Sequence, residues 1–255
     1  MRFQYVLILL FAMVFSSCKN DSWHVKKIEG KQLNINDKLD TKKEIDEFIK
    51  PYREHVNAEL DSVLSYSIDT YSKKDGELNT AIGNLFADVI YEQSNPVFKS
   101  RTGNEIDMVM VNHGGIRSII SKGNITIRTA YEIMPFENSI VVVGLKGESI
   151  NELISYLTHA KRAHPISGLR LTVDDEFSVV EATIKGEPID PNKIYYVATN
   201  DYLYNGGDHM TFFQPNESLE ILNYKIRNAL LDYFIKTDTI RPVIDNRFIQ
   251  ITPQP

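Results

Sequence analysis

The sequence holds a single cysteine, Cys18, which excludes an intrachain disulfide framework. Basic residues are not in excess: 28 lysines and arginines stand against 34 aspartates and glutamates, a formal net charge of −6. A nucleic-acid polymer binder shows a basic stripe, so that class is disfavoured. A small nucleotide is still compatible, because a few local arginines overcome a weak global field at short range. Long hydrophobic runs are also lacking. The one apolar run, Tyr5 to Phe15, is too short to span a bilayer as a mature helix. Internal repeats, low-complexity tracts, a P-loop and a nucleophilic Ser or Cys motif are all missing. His24, His55, His113, His159, His164 and His209 are scattered without ligand spacing, and no Asp-x-His pair occurs. No metal site or resident cofactor is therefore expected in this chain. What remains is 255 residues, 42% hydrophobic and 24% charged, enough for a real core in one large domain or two small ones.

The first residues read as an export signal. Arg2, the apolar run and the small Ser16 and Ser17 precede Cys18, the layout of a leader removed before folding. The placement of Cys18 resembles a bacterial lipobox. That implies a signal peptide over 1–17, lipidation at Cys18 and a membrane anchor in the cell envelope. Residues 18–40 are polar and aperiodic, and read as a tether leading to a short edge element. Residues 41–255 form the expected domain.

Within it, Ile45, Phe48, Ile49, Tyr52, Val56, Leu60 and Val63 recur at helical spacing. Thr41 with Glu44 fits a capping box, and Pro51 predicts a kink or a split. VLSYSIDTY (63–71) reads as a strand, and TAIGNLFADVIY (80–91) as an apolar helix in which Gly83 marks a close approach. IDMVMVN (106–112) is a buried strand. NITIRTAYEIM is a strand or a short helix. SIVVVGLKG (139–147) is a strand turning at Gly147 into a helix over ESINELISYLTHA. LRLTVD, VVEATIKG and YYVATN are further strands, Ala229 to Phe234 is a last helix, and FIQIT closes the chain. The irregular alternation predicts an α+β (mixed α/β) fold, a mixed sheet flanked by helices.

Three segments carry chemistry. In VNHGGIR, a strand runs into Gly114 and Gly115 and then Arg117. Such a turn exposes backbone N–H groups, and the arginine fork suits a phosphate or carboxylate. A plain glycine turn with a surface arginine explains it equally well. In MPFENS, Phe136 taken alone is better read as a core residue, and Asn138 as a turn residue; as a pair they would stack on a flat ring and bond its edge. In YLYNGGDH, the turn at Gly206 and Gly207 can fold Asp208 back towards Tyr202. A carboxylate accepts two hydrogen bonds, which suits paired hydroxyls, and Tyr202 offers a face for a base. His209 is more simply an exposed turn residue.

Taken together, NHGGIR, PFENS and YLYNGGDH, with GNLFADVI, GNITIRTAYEIM and SGLRL in order around them, resemble the C-terminal, substrate-binding domain of the 5'-nucleotidase / UDP-sugar hydrolase family. The resemblance runs from about Ile45 to the C-terminus. It implies that Phe136 and Tyr202 sandwich a nucleobase and that Asn138 touches it. It also implies that Asp208, on the Gly206–Gly207 turn, binds the ribose hydroxyls, and that Asn112 and Arg117, with Gly114 and Gly115, hold the phosphate. No catalytic residue is implied. His113 and Glu137 stand where the family has glycine. The arginine usual before the Gly83 helix is missing from KKDGELNTAIGN, where Lys73 and Lys74 are candidate substitutes.

Hydrolysis in that family belongs to a separate domain that clamps the phosphoryl oxygens with two metal ions. The resemblance therefore implies a substrate-binding half working with a separately encoded metallophosphoesterase that supplies the divalent metals. Two other readings follow in rank: a surface nucleoside or nucleotide binding module without hydrolysis, and a degenerate scaffold.

Overall fold

A computed structural model describes residues 24–36 and 39–251. The leader and Cys18 lie outside the described residues. The described residues divide into two units, one ending at Ile49 and the other starting at Lys50. Residues 24–36 are exposed and form no strand, so the expected edge element is not there: a polar stretch without alternation has no face to bury. Helix α1 (Lys43–Leu60) is one continuous helix through Pro51 and buries none of its side chains. The predicted split does not occur. Exposed pairs Lys43–Glu47, Lys50–Glu54 and His55–Glu59, each one helical turn apart, support it on both sides of the proline.

From Lys50 onward the chain builds three sheets. The central one has five strands in the order β10 (Ser218–Lys225), β4 (Ser139–Lys146), β9 (Ile194–Asn200), β2 (Met108–Met110) and β5 (Ile166–Ser167). It is mixed: β9 and β2 are parallel, the other pairs antiparallel. Strand β4 is buried along nearly its whole length, as in a sheet covered on both faces. A three-stranded sheet pairs β1 (Val63–Ser67) with β3 (Gly123–Thr126) and β11 (Thr239–Ile240). A four-stranded sheet holds the hairpin of β6 (Leu169–Val173) and β7 (Val179–Ile184), flanked by β12 (Phe248–Gln250) and β8 (Glu187–Pro188).

The helices follow from local signals. Thr80 caps α2 (Ala81–Thr102) by accepting the Gly83 N–H at 3.1 Å. A Cβ on Gly83 would sit 2.8 Å from that hydroxyl, so the close approach expected there is to the cap itself. The helix continues past Tyr91 and Pro96 and stops at Gly103, whose φ is 78°. NITIRTAYEIM is both strand and helix: β3 passes at Thr126 into α3 (Ile127–Ile133) through a capping box with Thr129. Helix α4 (Gly147–Ala160) follows β4 at Gly147, and α6 (Ile226–Lys236) packs on α2 and α3. A one-turn helix, α5 (Asp201–Tyr204), follows β9.

Topology sets the site. β2 and β9 are parallel neighbours, so Asn112 and Tyr202 leave the sheet at the same end. β4 is antiparallel to β9 with Ile140 opposite Asn200, so the loop before β4, carrying Phe136 and Asn138, starts at that end too. Carboxyl ends of adjacent parallel strands are where open sheets leave a crevice for ligands.

Candidate functional site

The YLYNGGDH turn has an unusual backbone. Gly206, Asp208 and His209 have φ of 88°, 52° and 60°, the left-handed region that glycine enters freely and that aspartate tolerates better than most residues. Gly207 is needed for another reason. A Cβ there would lie 2.5 Å from two ring carbons of Tyr202, so the ring rests against this glycine. The reversal brings Asp208 back to Tyr202, whose hydroxyl donates to Asp208 Oδ1 at 2.9 Å. Asn112 Nδ2 donates to the other oxygen, Oδ2, at 2.7 Å. The Tyr156 hydroxyl, from α4, donates to the Asp208 carbonyl at 3.1 Å. The hydrogen bond to the carboxylate raises the Tyr202 phenol above its ordinary pKa. Burial, then the Asp208 charge, does the same for Tyr156.

Asn112 is buried. Gly114 and Gly115 make room for its amide: a Cβ would stand 3.3 Å from Nδ2 at Gly114 and 3.0 Å from Oδ1 at Gly115. The turn His113–Gly115 is a single 3-10 turn, closed by Gly115 N–H to the Asn112 carbonyl at 3.0 Å. The His113 amide donates to His164 Nδ1 at 3.3 Å. His164 is buried, and burial first, then the charges of His113 and Arg162, hold its pKa down at about 4. Its ring meets that of Tyr156 edge-on at 5.5 Å, tying α4 to the turn.

Arg117 is exposed and spans two parts of the site. Its Nη1 donates to the Gly114 carbonyl at 3.3 Å, and its guanidinium carbon lies 5.8 Å from the centre of the Phe136 ring. Phe136 is 42% exposed and Tyr202 46%, so neither ring is core, contrary to the reading of Phe136 taken alone. Among the described residues neither ring stacks on another aromatic ring. Asn138 is half-buried, and its carbonyl accepts the Ile226 N–H at 3.1 Å.

The Phe136 loop is held from α6. Arg227 is 4% exposed. Its Nη1 donates to the carbonyls of Met134, Pro135 and Phe136 at 3.3, 3.2 and 3.4 Å, and its guanidinium lies 4.1 Å from the Tyr131 ring centre. Glu137 pairs with both Lys225 and Arg227. Hydrogen bonds from Lys225 and then Arg227 hold its carboxyl down at about 2. The charge that replaces a glycine in this loop is thus consumed by cations on and beside α6. Lys73 is likewise brought to the glycine turn, its Nζ donating to the His113 carbonyl at 3.2 Å.

Tyr156, His164 and Arg227 were not legible as site residues. None sits in a turn motif, and each acts from a helix or a segment distant in the chain. Among the described residues no cluster of three or more His, Cys, Asp or Glu could hold a metal ion.

Fold and loops together define a mixed-sheet α+β domain whose candidate binding face lies at one end of the central sheet. The chain belongs to the family described as "5'-nucleotidase, C-terminal domain", whose profile matches residues 57–215. An apyrase from Tabanus yao is 27% identical over 216 residues, covering 75% of this chain and 38% of the relative. Cell wall protein Lmo0130 from Listeria monocytogenes is 29% identical over 194 residues, covering 62% and 24%. The crystal structure of a 5'-nucleotidase precursor from Thermus thermophilus superposes with a TM-score of 0.69 at 24% identity, covering 82% of this chain and 43% of that one; it shows the shared fold. The chain therefore spans less than half the length of each of these relatives.

Proposed function

We propose that this chain is the substrate-binding half of a 5'-nucleotidase-type phosphohydrolase. It binds the base and ribose of a nucleotide, and a metallophosphoesterase unit outside the described residues, met as a separate chain, supplies the metals and the hydrolysis. The single observation that carries this reading is the Asp208 carboxylate, pinned by Asn112 and by the exposed Tyr202, with Arg117 linking the Asn112 turn to the exposed Phe136 ring. A carboxylate offers about four lone-pair sites. With one taken on each oxygen, one remains on each, which matches the two hydroxyls of a ribose. Tyr202 and Phe136 supply faces for the base, Asn138 a polar edge for it, and Arg117 a fork for the phosphate beside the Gly114–Gly115 turn.

The test is titration calorimetry with nucleosides and nucleoside monophosphates, then an assay with divalent metal, with and without a metallophosphoesterase partner. Expected are binding that Tyr202→Ala and Asp208→Ala abolish, and turnover only with the partner. Strong metal-dependent turnover by this chain alone would defeat the divided arrangement. Tight binding with no effect of any partner would favour a binding module without hydrolysis. The leader-like 1–17 and the lone Cys18 support export and a lipid anchor, and similarity to a cell wall protein supports export. Cys18→Ala should then release the protein from membranes on fractionation, and unchanged retention would refute the anchor.

A further inference from the structure

Asp208 is exposed and left-handed, with φ 52° and ψ 26°. A non-glycine residue keeps such a conformation only where its surroundings over-determine it. The bonds from Asn112 and Tyr202 reach its two carboxylate oxygens, and so they fix the side chain. Its backbone is held from elsewhere. The Asp208 carbonyl accepts the Tyr156 hydroxyl at 3.1 Å, from a residue 52 positions earlier in the chain. Tyr156 stands on α4, outside all three site motifs.

Tyr156 is itself fixed on two sides. Its ring centre lies 5.6 Å from that of the buried Phe212, just after the Asp208 turn, and 5.5 Å from that of the buried His164. The segment around His164 in turn clips the Asn112 turn. His164 Nδ1 accepts the His113 N–H at 3.3 Å, and the Pro165 carbonyl accepts the Val111 N–H at 3.0 Å. His113 adds a side-chain bond, its Nδ1 donating to the Ala163 carbonyl at 3.0 Å. Asn112 is therefore held through both of its chain neighbours, and it bonds Asp208 Oδ2 at 2.7 Å. The contacts close a circuit: Asp208, Tyr156, His164, the Asn112 turn and Asp208 again. Tyr156 is the member that touches both the Asp208 turn and the segment behind Asn112.

Resting on the reading of Asp208 as the acid that takes the ribose hydroxyls, we infer that Tyr156 is a positioning residue for sugar recognition. Its hydroxyl sets the direction of the peptide between Asp208 and His209. That peptide sets the direction in which the Asp208 side chain leaves the backbone. Two adjacent hydroxyls need both carboxylate oxygens in place at once, and a binding group keeps such geometry only when the residues behind it are locked. A sugar with one hydroxyl on that edge tolerates a swing of the carboxylate. The preference for ribose over 2'-deoxyribose is thus set in part from α4, by a side chain that acts through Asp208.

The experiment is calorimetry on the full chain with adenosine and 2'-deoxyadenosine, for the wild type and for Tyr156→Phe, which keeps the ring and its contacts. The wild type should prefer the ribonucleoside. Tyr156→Phe should weaken the ribonucleoside about five- to tenfold and the deoxynucleoside about twofold or less, so that the ratio between them contracts. The His209 amide, which shares a peptide with the Asp208 carbonyl, should shift in the nitrogen dimension of NMR spectra of the variant. A variant that keeps the wild-type sugar ratio would overturn the positioning role and leave Asp208 as the reader of the sugar. So would one that loses both ligands by the same factor, the mark of a merely structural residue. A wild type that binds the two nucleosides equally, or binds neither, would remove the sugar reading itself and this inference with it.

Discussion

The two sides of the site are held together differently. Around Asp208 the restraints are short hydrogen bonds from Asn112, Tyr202 and Tyr156, and a backbone reversal through three left-handed residues. Around Phe136 the restraint is one buried guanidinium, Arg227, gripping three carbonyls and Glu137. The first side is built from residues inside its own motifs, with help from a single helix. The second depends on α6, whose sequence carries no sign of the loop it supports. A ring on a short loop before a strand has few contacts of its own, and an external clamp is what fixes its direction.

This contrast can be broken first at Arg227. Arg227→Met should cost about 3 to 4 kcal/mol in urea unfolding, because three carbonyls lose their donor and a buried stacked side chain is replaced. Glu137→Gln should cost much less, since that carboxylate is exposed. Comparable losses for the two would show that the ion pair, not the carbonyl grip, fixes the loop.

Acid should separate the sides next. His164 has a folded pKa of about 4, below its ordinary 6.5. Between these values the unfolded chain binds more protons, so this contribution is complete above 6.5 and is lost as pH falls towards 4. The loss is about 3 kcal/mol. Protonation also removes the acceptor for the His113 amide. Glu137, lowered from 4.5 to about 2, contributes fully above 4.5 and fades only as pH falls towards 2. The Asp208 side should therefore loosen before the Phe136 side, which pH-dependent unfolding with site-specific NMR signals can order. His164→Gln should flatten the upper window alone.

Smaller effects sharpen the geometry of the Asp208 side. Gly207→Ala should destabilise by about 2 kcal/mol, because the new methyl meets the Tyr202 ring, and nucleoside binding should fall with it. Asp208→Asn keeps a partner for the tyrosine hydroxyl but turns an NH2 toward the Asn112 amide, and should cost about 1 kcal/mol of stability. It should weaken a ribonucleoside about tenfold and a 2'-deoxynucleoside less; equal losses would mean that the carboxylate does not read the sugar.

Much of this was legible because local rules and global fold agree. SIVVVGLKG and YYVATN are buried strands, LRLTVD and VVEATIKG form a hairpin, and the turn at Gly206–Gly207 does fold Asp208 onto Tyr202. The glycines of NHGGIR were read for backbone freedom; they also serve the bulk of the Asn112 amide. Strand β10 escaped notice because it is a half-exposed edge strand, with its register broken between Ile221 and Lys225 around Asn223 at φ 52°. Its apolar residues do not alternate cleanly. The length of α2 was hidden by Pro96, a residue that usually ends a helix. Arg227 could not be found from sequence at all. Its partners lie about ninety residues earlier, and nothing in KIRNAL distinguishes a clamp from a surface arginine.

An acid whose two oxygens are already moored has few rotamers left to surrender when a sugar arrives. The ordering penalty that usually taxes recognition by a flexible side chain is met in advance by folding. On the proposed reading, ligand exchange at this rim should then follow encounter and escape rather than rearrangement of the protein.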